Sequence, residues 1–404
     1  MPKGSRSFFE QIETVSVNAV EILDNQSSTN QNLREEFGLE TYYKRFSREA
    51  LKNFPHLSKA IAVKACEELE EMGYKFPRQK NKATLYSLRV EDIVKIYEHR
   101  GIPKYRDKYN EAFTIFVSNL KGGVSKSVST TSLAHSLRTS EILIQHDLRI
   151  LVIDLDPQAS STLFLRQNLS IGDQEYTSAQ AMLHDLTREQ ILEFFCHESM
   201  VPNVDVMPAS ILDAFVAADW EHYAAENFAD KNPLNLLREN VIDKIKGDYD
   251  FILLDCGPHL DAFLLNALAA ADVLLTPIPP AQVDMHSTMK YLSNLPSLYK
   301  KIEESGIEVR TKANVGYMTK IQESKADHQF ARDLAKEIFG DNLLDTSLAR
   351  LDGFERSGES FDTVITANPS VYEGSKSALA NAKNAASKFA TSVFSKVNTI
   401  RNNK

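Results

Sequence analysis

Residues 112–127 read AFTIFVSNLKGGVSKS, an apolar run that passes directly into a glycine-rich turn and then into a helical segment carrying Leu133, Ala134 and Leu137. A turn of this kind between strand and helix aims backbone N–H groups and the helix dipole at one spot, which suits a phosphate. Within it, Gly122, Gly123, Val124 and Ser125 form the loop and Val128 opens the helix. Lys126 is placed to reach the β- and γ-phosphates of a nucleotide, and the Ser127 hydroxyl to ligate Mg²⁺. The pattern G-x-x-x-x-G-K-[ST] is met only in part, because Leu120 and Ser125 occupy its two glycine positions. Taken alone, the stretch also fits a plain strand–turn–helix with surface lysines.

Two further segments narrow the choice. RILVIDLDPQAS (149–160) puts Asp154 and Asp156 at the end of an apolar run, and YDFILLDCGPHL (249–260) does the same for Asp255. Strands are expected at 112–119, 149–155, 203–208, 250–255, 272–277, 309–317 and 362–366, separated by helical segments. That alternation predicts an α/β fold with a mostly parallel sheet covered by helices on both faces. In such sheets ligands bind beyond the carboxyl ends of the strands, so the three carboxylates converge on the Lys121–Ser127 loop. Asp255 has the character of a carboxylate that holds the Mg²⁺ shell.

The whole chain has 404 residues and a formal charge of −9. Three cysteines, Cys66, Cys196 and Cys256, are too scattered for a disulfide framework or a metal cluster, which suits a reducing cytoplasm. The apolar stretch Asp261–Ala281 is broken by Asn266, Asp272 and prolines, so no membrane span is expected. Glu10 and Glu13 interrupt any signal-peptide core. The charge, however, is uneven. Residues 1–40 carry net −4, residues 41–110 net +7, and the stretch 374–404 has six basic residues and no acid. Sign asymmetry of this kind marks candidate nucleic-acid contacts.

Before the α/β region, Phe8, Ile12, Val15, Val17, Ala19, Val20 and Ile22 recur with a helical period, followed by a polar QSSTNQ loop and a short helical piece from Asn32 to Phe37. Such a helix packs on a partner chain or on its own domain. Ser47 and Ser58 are N-caps for two successive helices, the second ending at Gly73. A basic hairpin follows, with Lys75, Arg78, Lys80 and Lys82 around its tip. Helix, turn, helix and basic hairpin predict a winged helix-turn-helix, with Ser58, Lys59 and His56 at the start of the reading helix and the hairpin cations on phosphates. Glu67, Glu68, Glu70 and Glu71 crowd the far end of that helix against its macrodipole, and nothing in the sequence accounts for them.

The combination KGGVSKS (121–127), VIDLDPQAS (152–160), YDFILLDCGP (249–258) and NALAAADVLLTPIPP (266–280) resembles the ParA/MinD-type P-loop ATPases, over about residues 110–395. Those proteins carry a deviant Walker A motif with an extra signature lysine, which Lys121 matches. The added N-terminal segment resembles the long, plasmid-type partition proteins. The resemblance implies an ATPase using ATP/ADP and Mg²⁺. Lys121 would reach the partner's phosphates across an ATP-sandwich homodimer, and Lys126 would act as the P-loop lysine. Asp156 would position the attacking water, with Ser127, Asp154 and Asp255 around the metal. The sequence departs from the family at Ser125 (usually Gly), Val128 (usually Thr) and Gly257 (usually Pro).

The resemblance further implies a ParB-like centromere-binding partner that stimulates hydrolysis. It also implies operator DNA bound by the winged unit, with autorepression, and non-specific DNA bound in the ATP state near the tail helix, where Lys376 and Lys383 are the candidates. The expected division is a helical arm at 1–40, a winged helix-turn-helix domain at 41–105 and an ATPase domain at 106–404, in a cytoplasmic, nucleoid-associated protein. Two alternatives stay open at this level: a nucleotide-switched repressor with little ATPase role, and a MinD-like membrane-cycling ATPase whose basic tail helix lies on lipid.

Overall fold

The computed structural model describes residues 8–36, 41–79, 82–170, 174–322, 324–349, 353–354 and 362–403. Helix α1 (Phe8–Glu36) is one continuous rod, running through the QSSTNQ stretch expected as a loop. That stretch holds neither Gly nor Pro, and its Ser, Thr and Asn residues cost only about 0.5 kcal/mol each in a helix. The apolar positions of α1 remain outside any core, with Phe8 68%, Phe9 75% and Val15 61% exposed.

Next come a 3-10 turn (Arg48–Asn53) capped by Ser47, and α2 (Lys59–Glu71), whose Ile61 N–H donates to the Ser58 hydroxyl at 3.3 Å. Gly73 takes φ +92° just beyond α2, the left-handed stop that glycine permits. Strands β1 (Arg78–Gln79) and β2 (Lys82–Tyr86) form the antiparallel hairpin, and α3 (Val90–His99) closes the unit. Two of the crowded acids of α2 now have a reason. Glu70 takes the Arg78 guanidinium and the Tyr86 hydroxyl (2.9 Å), while Glu68 meets His99 at 2.8 Å. They fasten α2 to the hairpin and to α3.

The main sheet has eight strands in the order β10-β9-β8-β3-β7-β4-β6-β5. In chain order these are β3 (Phe113–Val117), β4 (Ile150–Leu155), β5 (His197–Glu198), β6 (Val204–Met207), β7 (Phe251–Cys256), β8 (Val273–Ile278), β9 (Ala313–Ile321) and β10 (Leu348–Ala349). All pairs are parallel except β5 with β6. The inner strands β3, β4, β7 and β8 are buried along their whole length, as both-face coverage requires. The strand expected at 362–366 is absent. Thr363 and Thr366 bond each other's backbone N–H groups through their hydroxyls and fold the segment into a turn, and β10 takes the sheet edge instead.

Helix α4 (Lys126–Thr139) lies on one face of the sheet beside the tail helix α8 (Lys376–Asn402). The other face is covered by helices that include α5 (Ala262–Ala270) and α6 (Gln282–Glu304), and α7 (Ala326–Phe339) flanks β9. Leu379, Ala386, Phe389, Val393 and Ile400 of α8 are buried as the spacing predicts.

The N-terminal unit is clamped to the end of α4 through both of its chain connections. On the entering side, Lys44 pairs with Glu141 at 3.0 Å and Tyr42 N–H donates to Met200 O at 3.1 Å. On the leaving side, Asp147 is held by Lys104 (2.9 Å), Arg106 (2.8 Å) and Arg138 (2.7 Å), and Lys104 also meets Glu98 of α3.

Lys383, expected on DNA, is corrected by the structure. Its ammonium is drawn inward, donating to the Tyr43 hydroxyl and to Ala367 O at 2.6 Å. Burial first, and Lys44 second, push its pKa down to about 7. The native state therefore holds fewer protons than the unfolded state between pH about 7 and the ordinary 10.5. Through this group, stability rises with pH across that window, and the penalty is complete below it. Lys383→Met should remove up to about 1.4 kcal/mol per pH unit of slope. Denaturant unfolding at pH 7.5 and 9 checks this, and an unchanged slope in the variant would count against the burial assigned to the amine.

Candidate functional site

The parallel register sets the site. Val117 of β3 lies opposite Asp255 of β7, and Asp255 opposite Asp154 of β4, so the loop after β3 and both carboxylates share one sheet end. Ser125, in the place usually held by glycine, sits at φ 73°, ψ 30°, the left-handed region where a side chain costs roughly 1 kcal/mol. Gly123 has φ +74°. These two turns fold the loop back above the start of α4, and Asn119 Oδ1 accepts from Lys121 N–H at 2.9 Å to fix its entry.

Lys126 is 8% exposed and its Nζ donates to Lys121 O at 3.3 Å, bridging the loop. Burial lowers its pKa, while Asp255 and Asp156 oppose that shift. Lys121 is half-buried and pairs with Asp284, in the first turn of α6, at 3.3 Å. Within a single chain, its charge is thus parked on its own α6.

The carboxylates differ in what they are free to do. Asp154 is fully buried and turned onto its own following loop. It accepts from Asp156 N–H at 3.1 Å and from Thr162 N–H and Oγ1, each at 2.8 Å. It shapes the loop that presents Asp156, and its oxygens are committed there. Asp255 is also fully buried. Its Oδ2 accepts from Ser161 Oγ at 2.7 Å, while among the described residues its Oδ1 has no hydrogen-bond partner. Burial pushes both carboxyl pKa values up, that of Asp255 to about 6. An orphaned buried carboxylate oxygen beside the Ser127 hydroxyl is a fitting place for a divalent cation. Asp156 is 8% exposed and held by Gln158 N–H on Oδ1 at 3.0 Å.

Several contributors escaped the sequence reading. Lys320, at φ 54° near the end of β9, donates to Gly123 O at 2.6 Å and braces the glycine turn. Lys320, Asp284 and Ser161 act through partners distant in sequence and had no signal, whereas Thr162 bonds Asp154 only eight residues before it.

On the nucleic-acid side, Lys75 and Lys82 are exposed on the hairpin unit, and Ser58 and Lys59 open α2, with Lys59 3.2 Å from Glu49. Lys80 lies outside the described residues. Arg78 is a second correction. Its guanidinium stacks 3.7 Å from the Tyr86 ring centre and pairs with Glu70, so it serves the unit's own packing. On α8, Lys376 and Lys388 are exposed, whereas Lys396 donates to Asp341 O at 2.7 Å and Arg401 lies 4.0 Å from the Tyr109 ring centre. Among the described residues, no helix is long and apolar enough to cross a membrane.

Comparison with known proteins bears on the whole chain. A family model described as an AAA domain matches residues 112–308, and one described as a ParA helix turn helix domain matches residues 19–109. Plasmid partition protein A of Escherichia coli is 52% identical over 394 residues, covering 97% of this chain and 99% of its own length. Chromosome partitioning protein ParA of Myxococcus xanthus is 33% identical over 166 residues, 41% of this chain and 51% of its own. A solved structure described as a Partition Protein is 40% identical with a TM-score of 0.79, covering 98% of this chain and 100% of that one. With a relative of that identity matched from end to end, and a phosphate-type loop facing buried carboxylates on a parallel sheet, the chain belongs to the ParA-type plasmid partition ATPases.

Proposed function

We propose that this partition ATPase binds ATP with Mg²⁺ at the loop Lys121–Val128 and hydrolyses it to ADP and phosphate. The observation that carries the reading is Asp255 Oδ1, buried and, among the described residues, without a hydrogen-bond partner at the same sheet end as Lys126 and Ser127. Backbone N–H groups of Gly122, Gly123, Val124 and Ser125, with the start of α4, would cradle the phosphates. Lys126 neutralises phosphoryl charge, and Asp156 orients the attacking water. Ser127 and Asp255 would hold the metal; Asp154 acts behind them through Thr162 and Asp156, a smaller role than direct ligation. Bound Mg²⁺ supplies neutralisation of phosphate charge.

The active form is a homodimer in which Lys121 leaves Asp284 and extends to the nucleotide of the partner subunit. The exposed apolar positions of α1 support a dimerisation arm at 1–40 rather than packing on its own domain. The unit at 41–105 acts as a winged helix-turn-helix that binds operator DNA and represses the chain's own operon, and 106–404 acts as the ATPase domain. In the ATP state the protein binds DNA without sequence preference, with Lys376 exposed for that contact, which would place it on the nucleoid. A ParB-like centromere-binding protein stimulates hydrolysis and so releases the DNA.

ATPase assays with and without non-specific DNA and the ParB-like protein encoded beside it test this reading; stimulation by both is expected, and no response to either would overturn it. Lys126→Ala should lose ATP binding in a calorimetric titration. Asp156→Ala should bind ATP within twofold of the parent yet hydrolyse it poorly, and normal turnover would refute its role. For the DNA surface, Lys75→Gln with Lys82→Gln should weaken binding to all sequences alike. It should also flatten the plot of log affinity against log salt by about 0.9 for each phosphate no longer neutralised, read by fluorescence anisotropy at several salt concentrations. Selective loss at one sequence would assign these lysines to base reading instead.

A further inference from the structure

Gly257, two residues after Asp255, is a glycine that its own backbone does not require. It is buried and does not lie among the positive-φ residues, so an L side chain fits its conformation. What forbids a side chain is the space around it. A Cβ at Gly257 would lie 3.1 Å from Asp156 Oδ1, 3.3 Å from Asp156 Cγ and 3.3 Å from His259 Cδ2. Two side chains, the carboxylate of Asp156 and the imidazole of His259, thus converge on the one point that glycine leaves vacant.

Their hydrogen-bonding needs are complementary. Asp156 is nearly buried, and among the described residues its carboxylate receives only the Gln158 N–H, on Oδ1. One such bond leaves room for a second donor to fix the group's side-chain torsions. Among the described residues, His259 is exposed at the mouth of the site and its ring nitrogens have no hydrogen-bond partner. The other acid near the ring, Asp261, caps α5 by accepting from Leu264 N–H at 3.0 Å. Gly122 of the phosphate loop approaches Pro258, since a Cβ there would meet Pro258 Cγ at 3.8 Å, so the 257–259 turn forms one wall of the nucleotide site.

We propose that His259 is a positioning residue for hydrolysis. Its Nε2–H, next to Cδ2 in the ring, donates to Asp156 Oδ1 across the notch at Gly257, beside the Gln158 N–H, and holds that carboxylate toward the attacking water. The inference rests on the reading of Asp156 as the water-orienting group. The histidine transfers no proton to substrate; it restricts the carboxylate that does the orienting.

The test compares the full-length parent with His259→Leu, which lacks a donor, His259→Gln, which keeps one, Gly257→Ala, which obstructs the approach, and Asp156→Asn. Each is assayed for ATP affinity by calorimetry and for kcat. Loss of one hydrogen bond to a charged group predicts about a tenfold fall in kcat for His259→Leu, with ATP affinity within twofold of the parent. Gly257→Ala should show the same split, and His259→Gln should recover most of the rate. A parental kcat in His259→Leu would overturn the proposal, as would His259→Gln failing as badly as His259→Leu. The Asp156→Asn arm separates the two claims. If that variant is inactive while His259→Leu is normal, only the histidine's role falls. If Asp156→Asn turns over normally, the underlying reading falls with it. Thermal unfolding midpoints of all variants identify any that lose rate by losing fold.

Discussion

Two carboxylates with no exposed surface, Asp154 and Asp255, stand opposite each other on adjacent parallel strands. Burying like charges this closely is costly, and the charge of Asp255 adds to the desolvation that raises the pKa of Asp154. The surrounding structure is arranged to make the pair tolerable. Asp154 takes three hydrogen bonds from residues 156 and 162, and Asp255 takes one from Ser161. Lys126 lies near enough to Asp255 to stabilise its charged form. One oxygen of Asp255 is left over. A cation bound with a nucleotide would complete that balance, and the fold's own electrostatics would then favour the ligand.

The same strand order gives α4 two jobs. Its first turn carries Lys126 and Ser127, and its last holds Arg138, which pairs with Asp147. Asp147 is also held by Lys104 and Arg106 in the connection from the N-terminal unit, and Glu141 just beyond α4 takes Lys44. One buried helix therefore joins the phosphate loop to the DNA-facing unit. The two regions share a core, since residues from Tyr42 to Tyr105 pack in one cluster with the sheet and with Phe389 and Val393 of α8.

Much of this was legible in residue order. Apolar runs ending in Asp154, Asp156 and Asp255 located the strands and the end of the sheet where the site lies, because buried parallel strands need continuous apolar sequence. Ser47, Ser58 and Gly73 marked helix ends through local hydrogen bonding and backbone freedom alone. The failures share another cause. Lys383 and Arg78 looked free because composition reports charge and not its neighbours, and their neighbours, Tyr43 and Glu70 with Tyr86, come from packing. Thr363 and Thr366 look like strand residues, yet their hydroxyls capture the backbone first. Lys320, Asp284 and Ser161 reach the site only through strand order, which a linear pattern does not encode.

Asp255 would complete its shell with a nucleotide-bound cation. Calorimetric titration of ATP into the full-length protein and into Asp255→Asn, each with Mg²⁺ and with excess chelator, tests it most directly. Mg²⁺ should strengthen ATP binding markedly in the parent and by much less in the variant, while the metal-free affinities stay similar. An equal Mg²⁺ effect in both proteins would contradict it.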